Sequence, residues 1–106
     1  MKVVDTFPAL QNLFNPGAAA GLNKSIQLHV TGSDAGDYAI HIHDQKCELV
    51  PPASVKPDLT LSVSDQDWIA VTQGQLDPMK AFLSGKIKAT GDMMLAMKIP
   101  ALFKLQ

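Results

Sequence analysis

The stretch that decides the fold is LDPMKAFLSGKIKATGDMMLAMK, residues 76–98. Its first part predicts a short helix that starts at Asp77 and Pro78, because aspartate accepts hydrogen bonds from free backbone N–H groups and proline fits the first helical position. Gly85 is typical of the residue that ends a helix. The helix therefore carries Met79, Phe82 and Leu83 between two clear boundaries.

The second part of this stretch predicts a strand followed by another helix. Residues 86–90 form a short strand, and Asp92 caps the helix that follows it. Pro100 should interrupt that helix, since proline lacks the backbone N–H and clashes with the preceding turn. We therefore expect residues 101–103 to form a separate final turn.

Alternation of apolar and polar residues predicts four more strands upstream. This period of two is typical of a sheet with one buried face and one solvated face. The turn-like connectors at residues 32–36 and 44–45 favour an antiparallel meander. The four predicted strands cover residues 25–31, 37–43, 46–50 and 58–63.

Two helical segments complete the predicted architecture. Residues 5–14 place apolar side chains at helical spacing, with Pro8 in the first turn, where proline is tolerated. At Ser64 the period changes to about 3.6, and Ser64 with Asp67 fits a capping box. The sequence therefore predicts an α+β fold: a five-stranded, mostly antiparallel sheet with helices covering one face.

Length and composition exclude several classes of function. The 106 residues predict a single domain, residues 1–106, and no window reaches the length of a membrane span. The net charge is −1, all nine basic residues are lysine, and no basic cluster suits nucleic acid. The single cysteine, Cys47, fits a reducing compartment, and no secretory signal follows Lys2. We expect a cytoplasmic protein.

Residues capable of bond chemistry are scarce. His29, His41 and His43 share one predicted sheet face and could hold zinc, but polar side chains are expected on a solvated face and no full ligand set surrounds them. Cys47 is predicted to point inward as a small apolar group. The aspartates at positions 65, 67, 77 and 92 are accounted for as helix starts. We therefore predict no catalytic site, no metal and no cofactor.

The methionines supply the most specific positive signal. Four of the five fall after residue 78, and the fifth is Met1. Methionine is flexible and polarizable and is common where a protein surface fits ligands of varied shape. A stripe of this kind is often simply part of a hydrophobic core, so the residues alone leave a core and a ligand cavity open.

The order of these residues resembles the sterol carrier protein type 2 family. The segment DLTLSVSDQDW, residues 58–68, looks like that family's strand-into-helix segment. The segment GQLDPMKAFLSGKIK, residues 74–88, resembles its Gly-x-Leu-x-Pro-x-x-Ala-Phe-x-x-Gly-Lys run. Residues 91–93 and 95–98 are similar to its Gly-(Asn/Asp)-Met and Leu-Ala-x-Lys pieces. The resemblance implies a small domain with a hydrophobic tunnel between the sheet and the helices. It also implies that this tunnel binds fatty acids, fatty acyl-CoAs, sterols or similar lipids without catalysis.

The resemblance also implies which residues line the tunnel and which partners to expect. The ligand is a lipid, transient membrane contact is compatible with it, and the chain is expected to be a monomer or a homodimer. We expect no peroxisomal signal at the last tripeptide, because Gln106 follows Lys104 and Leu105. A lipid-free interaction or dimerisation module, and an accessory domain that presents a hydrophobic substrate to separate enzymes, remain alternatives. The implied lipid-binding residues are Trp68, Phe82, Met93, Met94, Met97, Leu102 and Phe103.

Overall fold

Five strands form one mixed sheet in the computed structural model, which describes residues 2–103. The prediction about the terminal tripeptide lies outside these residues. The sheet order is β3-β2-β1-β4-β5, and every neighbouring pair is antiparallel except β1 and β4, which are parallel. The strands are β1 Lys24–Thr31, β2 Gly36–His43, β3 Lys46–Val50, β4 Leu59–Ser64 and β5 Ile87–Gly91.

Four helices accompany the sheet, and the predicted α+β architecture is confirmed. They are α1 Thr6–Leu13, α2 Asp65–Thr72, α3 Pro78–Leu83 and α4 Met93–Leu102. Three short 3₁₀ helices lie at Val3–Asp5, Pro16–Ala19 and Pro52–Ser54. Pro52–Ser54 packs on β2, and Ala39, on the face of β2 away from the helices, is fully buried.

The alternating strand pattern produces the core as predicted. Ile26, Leu28 and Val30 of β1 are buried, and Leu28 lies beside Leu61 of β4 in the parallel register. Burial of such a side chain contributes roughly 1.5–3 kcal/mol, so this row of residues holds the centre of the sheet together. Leu49 of β3 faces the predicted side but is 44% exposed, because β3 is an edge strand.

The predicted helix caps are present at the starts of α2, α3 and α4. The Ser64 hydroxyl accepts a hydrogen bond from the Asp67 N–H at 3.2 Å, which is the serine half of the expected capping box. The Asp77 carboxylate accepts from the Met79 N–H at 2.9 Å, and Asp92 accepts from the Leu95 N–H at 3.1 Å. These contacts fix where α2, α3 and α4 begin.

The prediction that Pro100 interrupts the last helix is wrong. Helix α4 continues through Pro100 to Leu102, and the Phe103 N–H donates to the Ile99 carbonyl at 2.9 Å. An internal proline costs about 3 kcal/mol in a helix, whereas burying one large apolar side chain contributes roughly 1.5–3 kcal/mol. Leu102 and Phe103 are both buried, so together they offset the cost. The Asn15 N–H also donates to the Leu102 carbonyl at 2.7 Å, which anchors the end of α4.

Candidate functional site

An apolar cavity lies between the sheet and the helices. Its sheet side consists of core residues from β1, β2, β4 and β5, all apolar and most of them buried. These side chains are held in register by the strand ladders, so this wall is fixed by the fold. The residues of the sheet side are Ile26, Leu28, Ile40, Leu61, Ile87 and Ala89.

The helix side of the cavity comes mainly from α2, α3 and α4. It combines aromatic rings with methionines and prolines. Six of its members are only partly buried or exposed, namely Met79, Phe82, Ala96, Met97, Ile99 and Pro100. Because Met97 is 60% exposed and also lines the cavity, the cavity reaches the surface beside it. The residues of the helix side are Leu10, Trp68, Val71, Pro78, Met79, Phe82, Ala96, Met97, Ile99, Pro100 and Phe103.

The volume of the cavity is small compared with a long alkyl chain. About 70 Å³ is open to the centre of a water molecule. A buried water needs roughly 10–15 Å³ by this measure, so the space corresponds to roughly five to seven waters. A chain of about 16 carbons enters only if part of the wall moves. The unbranched side chains of Met79 and Met97 can make such a movement.

Among residues 2–103, the cavity wall contains no unpaired polar side chain. The described residues that line the cavity are apolar, and the one polar side-chain atom among them is the indole nitrogen of Trp68. That N–H donates to the Thr6 hydroxyl at 2.8 Å, and the Thr6 hydroxyl in turn donates to the Val3 carbonyl at 2.6 Å. Since the indole N–H is already paired with Thr6, which does not line the cavity, the described wall favours an apolar occupant over water.

The structure brings together four of the seven residues implied by the resemblance. Trp68, Phe82, Met97 and Phe103 all line the cavity. The other three lie elsewhere. Met93 and Met94 are exposed on the outer side of α4, and Leu102 is completely buried in the core.

Sequence reasoning missed most of the wall. The sheet residues were assigned to the core by their alternation, and nothing in that pattern separates a core residue from a cavity residue. Met79 and Val71 gave a usable signal, because each lies on the inner face of a predicted helix one turn or less from an implied residue. Ile99 and Pro100 were missed because the helix was expected to end there.

A close backbone approach holds α4 against the sheet. Gly91 has φ 114°, and a Cβ atom there would lie 2.5 Å from the Asp58 carbonyl oxygen, so only glycine fits. The Asp92 N–H donates to the same carbonyl at 2.8 Å. The Asp92 carboxylate also pairs with Lys24 at 3.2 Å. The Leu95 N–H and Lys24 together hold the pKa of Asp92 below its usual value.

A second polar cluster fixes the start of α2. The Asp65 carboxylate accepts hydrogen bonds from the backbone N–H groups of Asp34 and Gln66 at 2.9 and 2.8 Å. Both bonds lower the pKa of Asp65, and the bond from Asp34 has the larger effect. The Asp34 carboxylate accepts from the Val3 N–H at 2.7 Å. Asp65 is therefore more than a helix start, because it also joins α2 to the β1–β2 turn.

The histidines and the cysteine lie away from the cavity. His41 and His43 stack with ring centroids 4.3 Å apart, while His29 contacts Asp37. Asp44 and Glu48 raise the pKa of His43. Burial, reinforced by the charge of Glu48, raises the pKa of Cys47 to about 12. Within residues 2–103 no group of three or more His, Cys, Asp or Glu side chains could hold a metal ion.

The helices of the described region are also too short and too polar to cross a lipid bilayer. This finding agrees with the hydropathy of the sequence, in which apolar runs are interrupted every few residues.

Comparison with known proteins identifies the family and supports the fold. The sequence profile of the SCP-2 sterol transfer family matches residues 7–104. The peroxisomal multifunctional enzyme type 2 of Mus musculus is 36% identical over 85 residues, which is 77% of this chain and 12% of that enzyme. The hydroxysteroid dehydrogenase-like protein 2 of Xenopus tropicalis is 31% identical over 96 residues, 90% of this chain and 23% of that protein. The chain thus spans less than a quarter of the length of these relatives.

A solved structure extends the similarity over nearly the whole chain. The solution structure of palmitated SCP2L2 from Aedes aegypti superposes with a TM-score of 0.73 and 25% identity. The superposition covers 95% of this chain and 93% of that protein. The two proteins therefore share the same fold, a sheet with helices on one face.

Proposed function

The chain belongs to the SCP-2 sterol transfer family, and from this premise we propose that it binds and carries an apolar lipid without catalysing a reaction on it. The observation that supports the proposal best is the composition of the cavity wall. All of its side chains are apolar, and its single polar atom, the indole nitrogen of Trp68, is paired with Thr6. A ligand of this site is recognised by shape and by removal from water.

The energetics of such a site suit a carrier. Burial of a chain of about 16 carbons at roughly 0.8 kcal/mol per CH₂ gives about 12 kcal/mol of transfer free energy from water. After the cost of association, a micromolar to nanomolar affinity remains. Relative to a membrane, where the same chain is already buried, the net gain is close to zero. Lipid can therefore be loaded from a membrane and released to one.

The ligand class is proposed by analogy and by the shape of the wall. The SCP2L2 structure is described as palmitated, and a fatty acid or fatty acyl-CoA would place its tail in the cavity and its head at the opening beside Met97. The proposed contacts from the helix side are Trp68, Phe82, Met97 and Phe103. Cytoplasmic location stays a prediction.

A titration tests the proposal directly. Delipidated protein is titrated with a fluorescent fatty acid, followed by competition with palmitate, palmitoyl-CoA and a sterol. We expect saturable one-to-one binding and a rise in melting temperature with the preferred competitor. If no lipid binds saturably and none shifts the melting temperature, the cavity is filled by side chains and the proposal is wrong.

A second role is favoured by the relatives. Two of them are named as enzymes or enzyme-like proteins in which the matching region is a small part of the chain. A domain that presents a hydrophobic substrate to a separate enzyme would use the same cavity. The distinction is kinetic: addition of the lipid-loaded protein would raise the turnover of a lipid-metabolising enzyme above that with free lipid at the same concentration.

A further inference from the structure

The hairpin that joins β2 and β3 carries a histidine between two carboxylates. His43, the last residue of β2, places Nδ1 at 3.2 Å from Oδ2 of Asp44 and Nε2 at 3.4 Å from Oε1 of Glu48. We call these three residues the His43 network. A neutral imidazole has one N–H and can donate to one acceptor, whereas an imidazolium donates to both. The arrangement therefore fits the protonated ring, and its hydrogen bonds to Asp44 and Glu48 raise the pKa of His43.

The remaining neighbours of His43 among the described residues supply no further negative charge. His41 stacks on it from the same strand, and the Nε2 atom of His41 is hydrogen-bonded to Asn23 at 2.8 Å on the side of β1. Lys46 lies directly opposite on β3. The 3₁₀ helix Pro52–Ser54, which also packs on β2, has no ionisable side chain. The two carboxylates of the network are therefore the groups that hold a proton on this ring.

The turn beside the network is strained and contains no glycine. Asp44 and Gln45 have φ 50° and 59°, in the left-handed region where a two-residue hairpin usually places Asn-Gly or Gly-Gly. Such a backbone persists only when the surrounding contacts hold it. Here each side chain supplies one contact, since Asp44 bonds to His43 and Gln45 donates from Nε2 to the Pro16 carbonyl at 3.1 Å. Loss of the bond to His43 removes one of these two supports.

The hairpin is also fastened to α1, which contributes to the cavity wall. Gln11 of α1 donates from Nε2 to the Cys47 carbonyl of β3 at 3.1 Å. The residue before it, Leu10, is buried and lines the cavity. A movement of β3 is therefore transmitted to the wall through this hydrogen bond.

A second connection leads from the turn to the end of α4. The Pro16 carbonyl that accepts from Gln45 follows Asn15, and the Asn15 N–H donates to the Leu102 carbonyl at 2.7 Å. The next residue, Phe103, is buried and lines the cavity. Two lining residues, one from α1 and one at the end of α4, are thus each linked to the hairpin that the network stabilises.

We propose that the His43 network is a pH-sensitive device that controls how fast the cavity exchanges lipid. With His43 protonated, the network holds the hairpin, and the hairpin holds Leu10 and Phe103 in place. With His43 neutral, one carboxylate loses its donor and this side of the wall opens more often. The inference rests on the proposed function, because it concerns a lipid in the same cavity.

The direction of the effect follows from the protonation of His43. Because its pKa is raised in the folded protein, the stabilisation of the hairpin is complete below the ordinary value of 6.5 and is lost as the pH rises through the folded pKa. Lipid is therefore retained at mildly acidic pH and exchanged faster at mildly alkaline pH.

Stopped-flow release of a neutral lipid tests the proposal. The probe is a pyrene-labelled long-chain alcohol, whose head group does not titrate near neutral pH, and an excess of phosphatidylcholine vesicles accepts it. We expect the dissociation rate to rise about threefold from about pH 6 to about pH 8, the size that two partly exposed ion pairs allow. His43→Gln should show the fast rate at both pH values. His43→Lys, which stays charged, should show the slow rate at both.

His29→Gln is the matched control. His29 contacts Asp37 at 2.6 Å on the same sheet face, but beside the start of β2 and far from the hairpin. This variant should keep the pH dependence of the parent protein, and circular dichroism confirms that each variant is folded. A parent rate that is equal at the two pH values would overturn the proposal, as would a pH dependence that persists in His43→Gln.

A measurement without ligand separates failure of this proposal from failure of the proposed function. In two-dimensional NMR spectra of the lipid-free protein, the backbone amide signals of Gln11, Asn15 and Gln45 should shift with the midpoint of the His43 ring, and His43→Gln should lack this transition. If no lipid binds at either pH, the proposed function is wrong, and pH-controlled exchange is wrong with it. If lipid binds but these signals do not follow His43, the cavity carries lipid and the network does not control it.

Discussion

Ala89→Phe is the most direct test of where a lipid chain lies. Ala89 lies on β5 opposite Leu61 of β4, and both line the cavity. An aromatic side chain suits a strand and would project from the fixed sheet wall into the open space. The substitution therefore changes the cavity without altering the helices.

The expected loss follows from the volumes. The added ring has six carbons, and the cavity has room for roughly five to seven waters, so we expect the ring to occupy most of the present space. At about 0.8 kcal/mol per displaced CH₂, the complete effect on binding would approach 5 kcal/mol. Since Met79 and Met97 can move outward, we expect part of this loss, at least about 2 kcal/mol, which is about a 30-fold weaker affinity.

The assay is the fluorescent fatty acid titration, with thermal unfolding measured in parallel. Filling a cavity in the free protein should leave the melting temperature equal or higher, so the loss of affinity cannot be attributed to unfolding. Ala53→Phe, in the 3₁₀ helix Pro52–Ser54 that packs on β2 away from the cavity, is the matched control and should bind normally. An Ala89→Phe variant that is folded and binds within about threefold of the parent protein would show that the lipid does not enter this cavity.

Four further predictions concern stability and reactivity. Cys47, whose pKa is raised to about 12, should react with iodoacetamide at pH 8 at least about 100 times more slowly in the native than in the denatured protein. Gly91→Ala should lower the free energy of unfolding by more than about 2 kcal/mol, measured in urea, because the new Cβ would lie 2.5 Å from the Asp58 carbonyl oxygen; an unchanged midpoint would contradict the geometry. The lowered pKa of Asp65 adds stability that is complete above its unfolded pKa of 3.8 and is lost as the pH falls toward the folded pKa. Asp65→Asn should therefore flatten the fall in melting temperature below about pH 5. An unchanged slope would refute this assignment. Pro100→Ala should raise the free energy of unfolding by about 1–3 kcal/mol, because α4 regains an internal hydrogen bond; a lower stability would mean that the proline ring is required for packing.

The sequence predicted the fold well because its signals are local. Strand alternation in residues 25–31 and 37–43 located the buried face, and the caps at Asp77 and Asp92 located two helix starts within a residue. Each of these signals depends on neighbours a few positions apart. The meander was equally accessible, since the turns between β1, β2 and β3 are too short for any other connection.

The errors arose where distant residues decide the outcome. Pro100 is a helix breaker by local rules, but burial of Leu102 and Phe103 against the core outweighs its cost. Asp65 is a typical helix-start residue, yet its strongest partner is Asp34 in another turn. Adjacent positions in the sequence show neither the burial that offsets the cost of Pro100 nor the partner of Asp65 across the fold.

The cavity itself shows why the site was harder to predict than the fold. One wall belongs to the sheet, where Leu28 and Leu61 are buried in a fixed register and serve as core and as lining at once. The other wall contains Met79 and Met97, which have several rotatable bonds, and a helix weakened by Pro100. If the proposed lipid enters this cavity, the sheet wall would stay in place and the helix wall would adjust the volume to it. The alternation of apolar and polar residues predicts the sheet wall but gives no information about the helix wall. The ability of the helix wall to move depends on which of its side chains lack tight packing around them.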